Sequence, residues 1–132
     1  MDVELFTLCD FAQINQEKFT IVGTFNSLFP QVFPFRYSSF YVACRIRLEK
    51  GEEGDKAFSF SIRENKPNGK DLITPVKGDI HVVPDDNIDA YISNFVLSFN
   101  NIEFTEPAHY NVVFECCGFK KTIPLFVKKT SL

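Results

Sequence analysis

The chain has no tryptophan, two histidines and one methionine in 132 residues. It also has no Gly-x-Ser-x-Gly elbow, no glycine-rich phosphate loop and no Cys-x-x-Cys pair. Each absence removes a class of function. Without the elbow, no serine is presented on a strained turn between strand and helix. Isolated glycines do not build a loop whose amides cradle phosphate. With only His81 and His109 as nitrogen ligands, the usual zinc spacings cannot be assembled. No apolar run approaches the length that spans a bilayer. The first residues carry Asp2, Glu4 and Asp10 where a secretory signal carries basic residues. These features predict a cytoplasmic protein with no cofactor and no membrane partner. A net charge of −3 without a basic block argues against nucleic acid, whose affinity rests on phosphate neutralisation by Lys and Arg.

What the chain does have is phenylalanine: 16 Phe against 4 Tyr. Phe lacks a polar tip, so this aromatic load belongs to a core rather than to a ligand platform. The length suits a single domain over residues 1–132. At that size folding buries roughly two-thirds of the chain's accessible surface, so neither metal nor disulfide is needed for stability.

The best-patterned stretch is Phe104–Val127, where Tyr110, Val112, Phe114 and Cys116 alternate with Asn111, Val113, Glu115 and Cys117. That is the period of a strand with one face on a core. Gly118 permits reversal, and Thr122–Val127 returns as the second arm of a hairpin. Upstream, Val3–Phe11, Phe19–Phe25, Phe40–Glu49 and Ala90–Asn100 read as strands, as does the alternation Phe58, Phe60, Ile62. Gly23 marks a bulge or a close backbone approach. Asn68-Gly69 predicts a hairpin turn, and Asp71–Val83 a pair of short strands broken by Pro75 and Gly78. No segment of helical period exceeds two turns. About seven to nine short strands with turn signals between them predict an all-β, antiparallel β-sandwich, with a closed barrel as the alternative.

The phrases LCDFAQ (Leu8–Gln13), KFTIVGTFNSLFP (Lys18–Pro30), RIRLEKGEEGDKAFSFSI (Arg45–Ile62) and NFVLSFNNIEFTEPAHYNVVFECCG (Asn94–Gly118) resemble a family of uncharacterised bacterial proteins, a domain of unknown function. The resemblance covers nearly the whole chain. It implies an immunoglobulin-like sandwich of bacterial origin and no activity. The sequence departs from the family pattern at the last turn, where Cys117-Gly118 stands for Asp/Asn-Gly, and at Asn65-Lys66-Pro67.

The cysteines at 9, 44, 116 and 117 read as reduced, mostly buried thiols. A Cys44–Cys116 bridge between sheets is the alternative, but the core Trp and the Tyr two residues before the second Cys that accompany such a bridge are absent. Enzyme chemistry would need a thiol beside His81 or His109, yet Cys44 lies on an apolar face where desolvation opposes the thiolate. Asp79, Asp85, Asp86 and Asp89 offer oxygen ligands for calcium without EF-hand spacing. Sugar stacking would rest on Tyr37, Tyr41, Tyr91 and Tyr110, which are dispersed. The run Ser27–Phe35 holds two prolines, which exclude it from a central strand and make it an edge or crossover, and the remaining feature is the aromatic segment Phe29–Tyr37. It either plugs the open end of the sandwich or forms a contact patch of Phe33, Phe35 and Tyr37 rimmed by Arg36. The favoured function is a non-catalytic interaction module that binds a protein partner or itself.

Overall fold

The computed structural model describes residues 1–130 as nine strands in two sheets. The strands are β1 (Asp2–Asn15), β2 (Lys18–Phe25), β3 (Ser27–Leu28), β4 (Phe35–Glu49), β5 (Gly54–Glu64), β6 (Val76–Val82), β7 (Ala90–Phe104), β8 (Ala108–Cys116) and β9 (Phe119–Val127). The first sheet runs β2-β1-β4-β7, all antiparallel; the second runs β3-β9-β8-β5-β6, antiparallel except for the parallel β3–β9 pair. The two sheets face each other as a sandwich.

The alternation read in the sequence is the one that builds the core. Phe40, Val42, Cys44, Ile46 and Leu48 of β4 are buried against Tyr110, Val112, Phe114 and Cys116 of β8. Phe60 and Phe114 sit with ring centroids 5.1 Å apart, and Phe58 and Phe95 at 4.8 Å close the group. Such tilted aromatic pairs add to the transfer energy of the buried rings. The β8–β9 reversal is a two-residue turn, with Cys117 at φ 50° and Gly118 at φ 82°. Cys117 therefore occupies the left-handed position that Asn or Asp usually fills, and lies in the turn rather than on the strand.

Several expectations are corrected. Asn68-Gly69 does not join two strands: β5 pairs with β6 only from Phe60↔Val76 onward, and the turn lies inside a longer connection. There Gly69 N donates to Lys66 O (3.0 Å), and Arg63 and Asp71 form an isolated bridge. The reversal itself forms: Glu64 N donates to Lys70 O (3.0 Å) and Leu72 N to Ile62 O (2.7 Å), so the turn closes a short antiparallel bridge at the end of β5 rather than joining β5 to β6. Asp71–Val83 holds one strand, β6, and Gly78 continues it because the Phe58 ring occupies the space of its missing side chain. Phe35–Tyr37 belongs to the interior strand β4, pairing Phe35↔Phe104 through Tyr37↔Ile102. Once Pro34 is passed, no missing N–H stands in the way of that ladder.

The inward-facing series also changes parity. On β4 it runs Phe35, Tyr37, then Phe40, Val42; on β7 it runs Phe95, Leu97, Phe99, then Ile102, Phe104. The reversal falls where Asn101 takes φ 54°. One left-handed residue rotates the strand enough to exchange its faces.

A second, smaller core lies on the outer face of the first sheet. The β1–β2 hairpin turns through Gln16 (φ 51°) and Glu17 (φ 63°). It bends near Asp10 and Gly23, where a side chain on Gly23 would run into the Asp10 carboxylate. Its far half then folds back, and Ala12, Phe19 and Ile21 cover Cys9, Ala43 and Val96. Arg45 sits over the Phe19 ring at 5.3 Å, and Arg45 and Asn94 each donate to Glu17 O at 3.4 Å.

Candidate functional site

The chain crosses from β2 in the first sheet to β3 in the second, and the aromatic segment brings it back to β4. Asn26, Leu28 and Pro30 present carbonyls to the amides of Phe126, Lys128 and Thr130 at 2.8–3.0 Å, which docks its first half beside the end of β9. Its second half is tied to the main core. Phe35 stacks on Phe104 at 6.2 Å, and Tyr37 stacks on Phe25 at 6.0 Å. The Tyr37 hydroxyl donates to Asp10 Oδ1 at 3.0 Å, and burial followed by that carboxylate pushes the phenol up. Phe33, Phe35 and Tyr37 are all half-buried against the main core. Arg36 is exposed, bonded to Asn101 O (2.9 Å) and paired with Glu103 (2.6 Å). The apolar side chains that stand out are two others, Phe29 at 61% exposure and Val32 at 70%. Sequence pattern could not separate these five apolar residues, because burial here depends on which of them face Phe104 and Phe25.

A concavity of about 330 Å³ opens at the opposite end of β7, between the ends of β6 and β7. Leu48, Ile80 and Tyr91 form its floor, and Val83, Ile88 and Ile92 its exposed apolar rim. Tyr91 donates to Glu53 Oε2 at 2.7 Å and accepts from Asp85 N at 3.3 Å, which ties the loop before β7 to the β4–β5 turn. Lys50 also contacts the Asp85 carbonyl. His81, on the wall, meets Asp55 at 2.6 Å, and that hydrogen bond raises the imidazole's pKa. Both partners are exposed, so the contact is screened by solvent.

The structure does not bring a thiol to this histidine. Cys9, Cys44 and Cys116 are buried, and burial pushes the Cys44 thiol up to about 12 and Cys116 to about 11. Cys117, the exposed thiol, lies in a different depression with Lys77 and Glu115. No Cys44–Cys116 bridge forms; all four thiols are free. Thiol titration is expected to count one rapidly modified cysteine in the native protein and four after denaturation. A count of two after denaturation without reductant would contradict the pairing state. Among the described residues, no three His, Cys, Asp or Glu side chains come together as a cation site, the aspartates from Asp79 to Asp89 included. Tyr91 and Tyr110 are buried, and Tyr37 and Tyr41 half-buried, so no tyrosine presents an open face for stacking. No helix among the described residues is long and apolar enough to cross a membrane.

Residues 4–128 match a family of unknown function, DUF6941, and the chain belongs to that family. No curated protein matches it.

Proposed function

We propose that this member of DUF6941 is a non-catalytic protein-interaction module that docks a partner protein through the segment 29–37. The observation that carries the reading is the exposure of Phe29 and Val32 on a segment whose other aromatics are anchored. Phe33, Phe35 and Tyr37 supply the half-buried floor, and Arg36 the polar rim. An anchored backbone loses little entropy when a partner docks, so less of the contact's apolar energy is spent on ordering the segment. Finer readings go with the proposal: a bacterial, cytoplasmic protein with an immunoglobulin-like sandwich. Strand order supports the last of these, since β4 lies beside β7 in one sheet and β5, β8 and β9 are neighbours in the other. That matches the B–E and C–F–G arrangement of immunoglobulin domains.

The test compares two pairs of substitutions. Phe33→Ser and Phe35→Ser are each expected to lower stability by about 2–5 kcal/mol, because a hydroxyl replaces a packed ring. Phe29→Ser with Val32→Ser is expected to leave the urea midpoint nearly unchanged and to abolish capture of any partner that the wild-type protein retains from its source cells. Retention of that partner by the Phe29/Val32 variant, or no specific partner in the wild type, would overturn the reading.

A further inference from the structure

A sandwich has free strand edges, and natural proteins defend them with Lys, Pro, Gly distortions or short length. Three of the edges here are defended in these ways. β2 carries Lys18 and the bent Gly23; β6 is short and carries Lys77, Gly78 and Asp79. The outer side of β9 carries Lys120, Lys121 and Pro124 and ends under the two-residue β3. β7 is the exception. It is 15 residues long, contains no Lys and no Pro, and has one charged residue, Glu103, beyond the bend at Asn101. It pairs only with β4, and among the described residues no backbone group bonds to its outer side.

Between Ala90 and Asn100 the only ionisable side chain is Tyr91, whose hydroxyl is already engaged by Glu53. The Asn94 side chain is likewise occupied, by Arg45 and Glu17 O. Ile92, at 50% exposure within this stretch, stands with Val83 at 75% and Ile88 on the rim of the concavity between β6 and β7. The free edge and the exposed apolar rim are thus contiguous.

We propose that β7 pairs antiparallel with β7 of a second copy, joining two four-stranded sheets into one of eight strands. The second copy is the occupant because its edge is uncharged over the same stretch, so no like charges oppose each other. Antiparallel pairing also consumes both free edges about a twofold axis, and assembly closes at two chains. Asn101 turns the chain out of register and Arg36 takes its carbonyl, so the usable edge is Ala90–Asn100. Full overlap of that stretch sets Phe95 at the axis and Ile92 opposite Ser98 of the other copy. The loop 29–34 adjoins the opposite end of β7, where Phe35 pairs with Phe104. This seam is therefore separate from the patch proposed above.

Ile92 and Ser98 are both exposed, so charges can be placed there without disturbing a core. Sedimentation of the wild-type protein is expected to give twice the mass of one chain. Ile92→Lys with Ser98→Lys opposes lysines twice across the seam and is expected to weaken the dimer by roughly tenfold or more. Ile92→Lys with Ser98→Glu pairs opposite charges in the same register and is expected to restore it. In the wild type, amide exchange of Ala90–Asn100 should slow as concentration rises, an outcome that needs no variant. A wild type monomeric at all concentrations, with β7 amides exchanging freely, would overturn the proposal. So would a dimer that survives Ile92→Lys/Ser98→Lys but is lost in Phe29→Ser/Val32→Ser, a result that would assign self-association to the aromatic loop.

Discussion

Phe114→Ala is expected to lower the unfolding free energy by about 3–5 kcal/mol, the usual range for deleting a fully buried ring. Phe114 has no exposed surface and lies within 5.1–6.4 Å, centroid to centroid, of Phe58, Phe60 and Phe95. It joins both sheets, since Phe95 comes from β7 and the other two from β5. Neighbouring rings held by their own strands cannot collapse far into the space, so the cavity contributes beside the lost transfer energy. Glu115→Ala, one residue on, points to solvent and is expected to change stability by less than about 0.5 kcal/mol. Urea unfolding of the two variants checks the contrast. Equal losses would mean that the faces of β8 are misassigned.

Ala43→Lys is expected to act on a different unit. Ala43 is fully buried, but beneath the folded-back β1–β2 hairpin rather than between the sheets. A lysine there would be enclosed among apolar side chains next to Arg45, a like charge. An uncompensated buried charge costs about 3–5 kcal/mol. The hairpin can escape that cost by lifting away, so its undocking energy caps the loss. Amides of Ala12, Phe19 and Ile21 are therefore expected to lose protection while Val42, Cys44 and Val112 keep theirs. Ala57→Lys, at an exposed position, serves as the control and should change neither set. Uniform loss of protection in Ala43→Lys would show that the hairpin and the sandwich unfold as one unit.

Much of the sandwich was legible in the sequence. The alternations over Phe40–Leu48 and Tyr110–Cys116 name the residues that are buried, because a strand's side chains obey a period of two wherever one face meets a core. Gly118 was legible as a reversal because glycine tolerates positive φ, whereas Cys117 reads as a strand residue and sits instead at the turn's first left-handed position. The separation of the aromatic segment from the regular pattern was legible through Pro30 and Pro34. Its division into anchored Phe33, Phe35 and Tyr37 and projecting Phe29 and Val32 was not.

The sequence by itself determined most of the strands, the inward face of most of them and the all-β class, since these follow from neighbours a few residues apart. Tertiary structure decided the rest. Asn68-Gly69 has hairpin chemistry, yet β5 finds β6 beyond it, because pairing partners are chosen by the whole sheet. Asn101 reverses the faces of β7, so Phe99 and Ile102 both point inward although their spacing breaks the alternation. Ala43 looks like an outward residue of β4 and is buried only because the β1–β2 hairpin, which supplies Ala12, Phe19 and Ile21, folds over it. The candidate surfaces, the loop at Phe29 and Val32 and the undefended edge of β7, arise the same way. Exposure is a property of what the rest of the chain leaves uncovered, and local pattern carries no record of that.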